Sequence, residues 1–248
     1  LKIGMLYYVV LSKSCQHAKV LHQANVSRVL VSHTNLSLHL KIFNQLAKPK
    51  NNFSLIVDNG LYSLWAQLDR GQRTLTEDDI RKWGEKYAES LVNFRQKFNS
   101  PFMFTELDVG CIGMAPDLTY EFRGMFLQLS KELGCPCFVV WHGIDEPLEV
   151  LWELGKRFKY VAIGSAFLRE VYMPPTVKVV LFNLLTYPLV RNGVWVHAFK
   201  QAFMENFLYG VATSTDSSTA LLNPANFTVV AQTRLPLKEK CFKKYQNP

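Results

Sequence analysis

Three aspartates each follow a short run of strand-forming apolar residues. Asp58 follows Leu55-Ile56-Val57, Asp108 follows the run 102–107, and Asp216 lies in the polar cluster TSTDSST after the run 208–212. A fourth run, 137–141, leads into His142-Gly143. In α/β folds the carboxyl ends of buried strands are where ligands sit. Two carboxylates on opposite sides of a substrate can divide a glycosyl transfer: one attacks or stabilises a sugar cation, and the other moves protons. Taken singly, each aspartate reads equally well as a strand-end turn or a helix N-cap. Their shared position is what favours a site. His142, and His197 at the end of the run 194–197, read either as donors to a ligand or as satisfied histidines near a rim. Gly143 and Gly164 would let a flat ligand approach the backbone, and a turn requirement explains them as well. The chain has no Ser-His-Asp spacing, no nucleotide-binding P-loop and no kinase signature.

The elements that must position these groups alternate along the chain. Strands are expected at 3–10, 27–32, 53–57, 102–107, 137–141, 160–163, 194–197 and 208–212, from their β-branched and aromatic content. Helical spacing is expected from Ser12 or Ser14 to about residue 23, then over 36–46, 77–98, 118–133, 147–158 and 177–187, the last stopped by Pro188. The segment 199–207 reads as helix or turn. Thr76 and Asp79 form a capping-box pattern before the longest helix. Ile80, Trp83, Tyr87, Leu91, Phe94 and Phe98 fall on one face of it, as core packing rather than a base-stacking platform. Gly134 stands where a C-cap belongs. Eight short strands alternating with helices predict a (β/α)8 barrel of the TIM type: one domain over 1–248, with 224–248 as a basic tail. An open doubly wound sheet is the alternative, but no Gly-rich phosphate loop follows the first strand.

Composition narrows the class. With 48% hydrophobic and 19% charged residues, the 248-residue chain is globular and long enough for a sizeable core. No apolar run reaches the ~18–20 residues that span a bilayer. The apolar start, 3–11, lacks a convincing cleavage site, which points to a cytoplasmic protein. Five scattered cysteines fit a reducing compartment and argue against a disulfide framework. Cys135-Pro136-Cys137 has no second ligand pair nearby, so no metal is expected. A net charge of +8 suits an anionic partner such as nucleic acid, or a basic protein with no such partner.

Read in order, the motifs resemble those of the tRNA-guanine transglycosylases. They are closer still to the DNA-modifying branch, the phage and bacterial enzymes that insert 7-deazaguanines into DNA. IVDNGLYS (56–63) looks like that family's Asp-Ser-Gly strand end, and ELDVG (106–110) like its second acidic strand end. VVWHG (139–143) looks like its Val-Gln-Gly segment, VAIGS (161–165) like its Gly-Gly turn, and VWVHAF (194–199) like its His-containing strand. GVATSTDSST (210–219) is similar to the strand bearing the nucleophilic aspartate, in the Asp-Ser-Ser form of the DNA branch. No single motif is specific; their order over 53–220 carries the resemblance.

The resemblance implies that Asp216 attacks C1′ of a guanosine sugar and that Asp58 moves the proton to the leaving base and from the incoming one. Asp108 would bind the purine's hydrogen-bonding edge. His142 (where the family has Gln), Gly143, Gly164, Ser165 and His197 would line the base pocket. The implied partners are DNA and a 7-deazaguanine base, with no cofactor and no membrane, and a second copy or partner subunit is a further expectation. Lys200 and the tail lysines Lys238, Lys240, Lys243 and Lys244 would form a basic rim for a flipped-out target. Two departures argue against tRNA. The Cys-x-Cys-x-x-Cys plus His zinc site is missing after the nucleophile, where only Cys241 occurs, and so is the Arg-rich segment. Asn59 and His142 replace residues that bear on which base is accepted. Two other functions remain open: a non-catalytic barrel subunit that binds nucleic acid, and a nucleoside N-glycosidase using the same two carboxylates.

Overall fold

Eight short strands, each hydrogen-bonded in parallel to its neighbours in sequence and the last to the first, close a barrel. The computed structural model describes residues 6–11, 26–48, 52–70, 74–112, 117–143, 146–164, 175–199 and 212–217. The strands are β1 (Leu6–Leu11), β2 (Arg28–Ser32), β3 (Ser54–Asp58), β4 (Met103–Thr105), β5 (Cys137–Trp141), β6 (Tyr160–Ile163), β7 (Trp195–Ala198) and β8 (Ser214–Ser217). The described helices are α1 (Leu36–Leu46), α2 (Leu61–Arg70), α3 (Glu77–Lys97), α4 (Asp117–Leu133), α5 (Leu148–Arg157) and α6 (Pro175–Arg191). The expected helix from Ser12 or Ser14, the segment 200–207 and the tail 224–248 lie outside the described residues. The TIM-type barrel expected from the strand–helix alternation is the architecture observed.

Two apolar layers hold it together, as a parallel sheet with helices on one side requires. Outside the strands, Val29, Val31, Leu55, Val57 and Phe104 pack against Phe43, Tyr87, Leu91 and Phe126 of the helices. Inside the barrel, Tyr8, Leu30, Ile56, Met103, Phe138, Val140 and Ala162 fill the lumen. The aromatic stripe of α3 is core, as its spacing predicts: Ile80, Tyr87, Leu91, Phe94 and Phe98 are buried. Thr76 caps that helix in both directions. Its hydroxyl accepts from Asp79 N at 3.2 Å, while the Asp79 carboxylate accepts from Thr76 N at 3.1 Å.

Four elements differ from the sequence expectation. The strand that pairs with β7 and β1 is the polar stretch Ser214–Ser217, so Asp216 lies within a strand; residues 208–211 of the expected run lie outside the described residues. That stretch holds strand geometry because its side chains find partners in the barrel: Ser214 and Asp216 bond to residues of β7, and the Thr215 hydroxyl donates to Ala198 O at 2.8 Å. β4 is three residues long, so Glu106, Leu107 and Asp108 form the loop above it. α2 has no counterpart among the expected helices; its short run of 10 residues follows the turn at Gly60 directly. α6 runs through Pro188 to Arg191. The carbonyl that loses its partner to proline is that of Leu184, on the exposed face, while Leu185 and Leu189 stay buried. The helix ends instead at Gly193 (φ 80°), where Val194 N donates to Leu189 O at 3.0 Å.

One buried ion pair ties β4, β5 and α4 together. Arg123 donates from Nε and Nη2 to the Glu106 carboxylate at 2.7 and 2.6 Å, and Val140 N donates to the same carboxylate at 2.7 Å. Burial raises the Glu106 pKa against the opposing pull of Arg123. Arg123→Ala strands a fully buried carboxylate and should lower the free energy of unfolding in urea by about 3 kcal/mol. Pairing Glu106→Gln with Arg123→Met should restore most of that loss, and an unchanged midpoint for Arg123→Ala would contradict this role.

Candidate active site

Register alone fixes which side chains enter the barrel. Partners across parallel strands point the same way, and every second residue along a strand does too. Asp216 pairs with Tyr8 and Val10 with Leu30. Leu30 in turn pairs with Ile56, two residues before Asp58. Tyr8, Leu30 and Ile56 fill the lumen, so Asp58 and Asp216 face inward with them. Round the other side, Thr105 pairs with Phe138, Val140 with Ala162, Ala162 with His197, and His197 with Ser214. His197 and Asp216 therefore share the lumen as well.

Asp58 ends β3 and is half-buried. Its Oδ2 accepts from Gly60 N at 3.0 Å. Gly60 has φ 70°, and a Cβ there would lie 2.4 Å from Ser32 Oγ, so this turn requires glycine. Asn59 points the other way and works as a brace. It donates from Nδ2 to Glu106 O at 2.9 Å, accepts from Leu61 N at 2.9 Å, and its carbonyl accepts from Trp83 Nε1 at 2.8 Å.

Asp108 and His142 meet above β4 and β5. His142 Nε2 lies against the Asp108 carboxylate, and its Nδ1 is 3.3 Å from Glu146 Oε2. Glu146 also accepts from His142 N at 2.7 Å and from the Tyr120 hydroxyl. Burial opposes a charge on His142, but Asp108 and then Glu146 outweigh it and raise its pKa from 6.5 to about 10. Burial pushes Glu146 up, yet His142 and Tyr120 together hold it below the usual range. His142 is thus an imidazolium at neutral pH, held between two carboxylates. Gly110 makes the space: a Cβ there would sit 2.3 Å from the His142 ring.

Asp216 is 3% exposed. Its Oδ1 lies 3.2 Å from His197 Nε2, and His197 Nδ1 lies 2.8 Å from Ser214 Oγ. Trp195 Nε1 donates to that same Ser214 Oγ at 2.8 Å. Tyr8, Phe138 and Phe199 enclose the His197 ring. Serine, histidine and aspartate do meet here, but not as a nucleophilic triad. Ser214 is fully buried and faces Nδ1, and Asp216 is the more exposed end.

The barrel thus brings Asp58, Asp216 and His197 to one lumen, with Asp108 and His142 in the loops above β4 and β5. His197, assigned by resemblance to the base pocket, is fully buried and spends both ring nitrogens on Ser214 and Asp216. Gly164 N donates to Trp141 O at 2.8 Å, and a Cβ on Gly164 would meet that carbonyl at 3.2 Å. Gly143 has φ 86°. Ser165, Lys200 and the tail lysines lie outside the described residues. Sequence reasoning missed Glu146, Tyr120, Ser214, Trp195 and Gly110. The i,i+4 spacing of His142 and Glu146 was the one available signal; the others are joined only by the fold. Among the described residues, no group of three His, Cys, Asp or Glu side chains is arranged to hold a metal ion. Among the described residues, no helix is long and apolar enough to cross a membrane.

No protein-family profile matches the chain, and no curated protein matches its sequence. Solved structures do resemble it. Deoxyribose phosphate aldolase from Aeropyrum pernix is 13% identical with a TM-score of 0.53, over 92% of this chain and 91% of that one. An aldolase called QR15 is 9% identical with a TM-score of 0.55, over 93% and 97%. A mutant tryptophan synthase alpha-subunit from Pyrococcus furiosus is 9% identical with a TM-score of 0.50, over 98% and 96%. At such identities the likeness establishes the barrel fold and no activity.

Two predictions follow from His142. Its pKa is higher folded than unfolded, so its stabilisation is complete below pH 6.5 and fades as pH rises toward about 10. Thermal unfolding between about pH 7 and 7.5, below the main thiol titration, should show stability falling at a rate of at most about 1.4 kcal/mol per pH unit. His142→Gln should flatten that slope; an unchanged slope would contradict the ion pair. Gly110→Ala should displace the ring and flatten the slope too, whereas Gly124→Ala, where a Cβ meets nothing within 4 Å, should leave it intact.

Proposed function

We propose that this barrel is an enzyme, a base-exchange transglycosylase that replaces guanine in DNA with a 7-deazaguanine derivative. One observation carries the proposal: Asp58 and Asp216, from β3 and β8, both project into the lumen. The order of the transglycosylase-like motifs supports the same choice. An Asp216 oxygen attacks C1′ of the flipped-out deoxyguanosine, the C1′–N9 bond breaks, and its electron pair leaves with the base. Asp58 donates a proton to the departing guanine. The incoming 7-deazaguanine then gives its N9 proton to Asp58. Its N9 attacks C1′ and displaces Asp216, so both carboxyl groups return to their starting states. Asp108, neutralised in part by the His142 imidazolium, faces the hydrogen-bonding edge of the base. The enzymatic neighbours with the same barrel are compatible with a catalytic role and say nothing of this chemistry.

The test is uptake of labelled 7-deazaguanine or guanine into duplex and single-stranded DNA. Wild type should incorporate label, and Asp216→Asn should reduce the rate by about 10³-fold or more. Asp58→Asn should slow exchange by about 10²-fold or more at neutral pH. Equal uptake by Asp216→Asn and wild type would overturn the mechanism. The deep burial of Asp216 favours a second reading, a non-catalytic barrel that binds nucleic acid. DNA binding with no uptake by wild type would select it, and hydrolysis of free nucleosides alone would select an N-glycosidase.

A further inference from the structure

The chain Trp195, Ser214, His197, Asp216 has a direction that its chemistry dictates. Indole Nε1–H can only donate, so Ser214 Oγ accepts from Trp195 at 2.8 Å. The serine has one proton of its own, and its second strand-side partner is His197 Nδ1 at 2.8 Å. If Ser214 gives that proton to Nδ1, the imidazole carries its hydrogen on Nε2 and donates it to Asp216 Oδ1 at 3.2 Å. The reverse tautomer would set a bare Nε2 lone pair against a carboxylate oxygen inside an apolar cage of Tyr8, Phe138 and Phe199. With Asp216 ionised, the Nε2–H tautomer gives Trp195 Nε1, the Ser214 hydroxyl and both ring nitrogens a partner of the right kind, and the Nδ1–H tautomer does not.

We infer that Trp195, Ser214 and His197 form a one-way hydrogen-bond relay that fixes His197 as its neutral Nε2–H tautomer and so presents Asp216 as an oriented anion. His197 is a positioning residue and does not touch the base. This goes beyond the proposed transglycosylation and rests on it only for the kinetic consequence. A neutral donor steadies one carboxylate oxygen without cancelling the charge the other needs to attack a sugar carbon. An imidazolium in that place would form a tight ion pair and blunt the nucleophile. All four residues lie on two adjacent strands, β7 and β8, so the relay is built into the sheet and not into a loop.

The test has two independent arms. Nitrogen-15 NMR of the imidazole in the intact protein at neutral pH should show His197 protonated at Nε2 alone. Trp195→Phe removes the donor that occupies Ser214 Oγ and frees that oxygen to accept from Nδ1, so it should shift the population toward the other tautomer. Protonation at Nδ1 alone, or at both nitrogens, in wild type would overturn the relay. In the exchange assay, His197→Phe should lower kcat about 100-fold with KM unchanged. His197→Gln, whose amide can still donate to Asp216, should recover much of that loss; equal loss in both folded variants would also overturn it. Should wild type show no exchange, the transglycosylase assignment fails while the NMR arm still decides the relay.

Discussion

A closed parallel barrel of eight strands has only one inside, and the pairing register decides which residues reach it. A slip of one position in β8 would turn Asp216 outward into the helix layer and bring Thr215 in. The register is held at both edges: Tyr8 pairs with Asp216 on one side and His197 with Ser214 on the other. The outward Thr215 hydroxyl adds a third tie, to Ala198 O. Everything attributed to the candidate site depends on this alternation, because the two aspartates come from strands far apart in the chain and meet only through the lumen.

Burying carboxylates in such a place is costly unless each has a partner, and the barrel supplies a different partner for each. Glu106 is answered by Arg123 on its outer face. Asp108 is answered by His142, whose charge is sustained by a second acid, Glu146. Asp216 is answered by His197, which is in turn bonded to Ser214. The first arrangement is structural and braces two strands and a helix. The second changes the character of the loop above β4 and β5, because a cation stands where the transglycosylase resemblance would have a neutral amide. The third holds an acid through an imidazole that aromatic rings enclose. Asp58, half-buried at a strand end, is the more accessible acid, as the proposed proton exchange with a visiting base requires.

Much of this was legible in the chain. The bounds of α1 follow from helical spacing and those of β5 and β6 from short β-rich runs, and the aromatic stripe of α3 reads as core from spacing alone. The polar strand β8 was not legible, since Ser-Thr-Asp-Ser carries no apolar alternation; partners on β7 and β1 keep it extended. α6 continues past Pro188 because tertiary burial of Leu185 and Leu189 outweighs a local breaker whose lost bond faces solvent. Of the site, the aspartates and histidines stood out by type and position. Ser214, Trp195, Tyr120 and Gly110 did not, since a serine, an indole, a phenol and a glycine gain their roles only from what the fold sets beside them.

In the proposed mechanism Asp216, deep in the lumen, supplies the oxygen that bonds to a nucleotide sugar. The most direct test of that step is to quench the protein with DNA in the absence of an incoming base, then digest it and map the cross-link by mass spectrometry. A deoxyribosyl ester on the peptide containing Asp216, with release of one guanine per adduct, is the predicted result. An adduct on any other residue, or guanine release with no adduct at all, would contradict it.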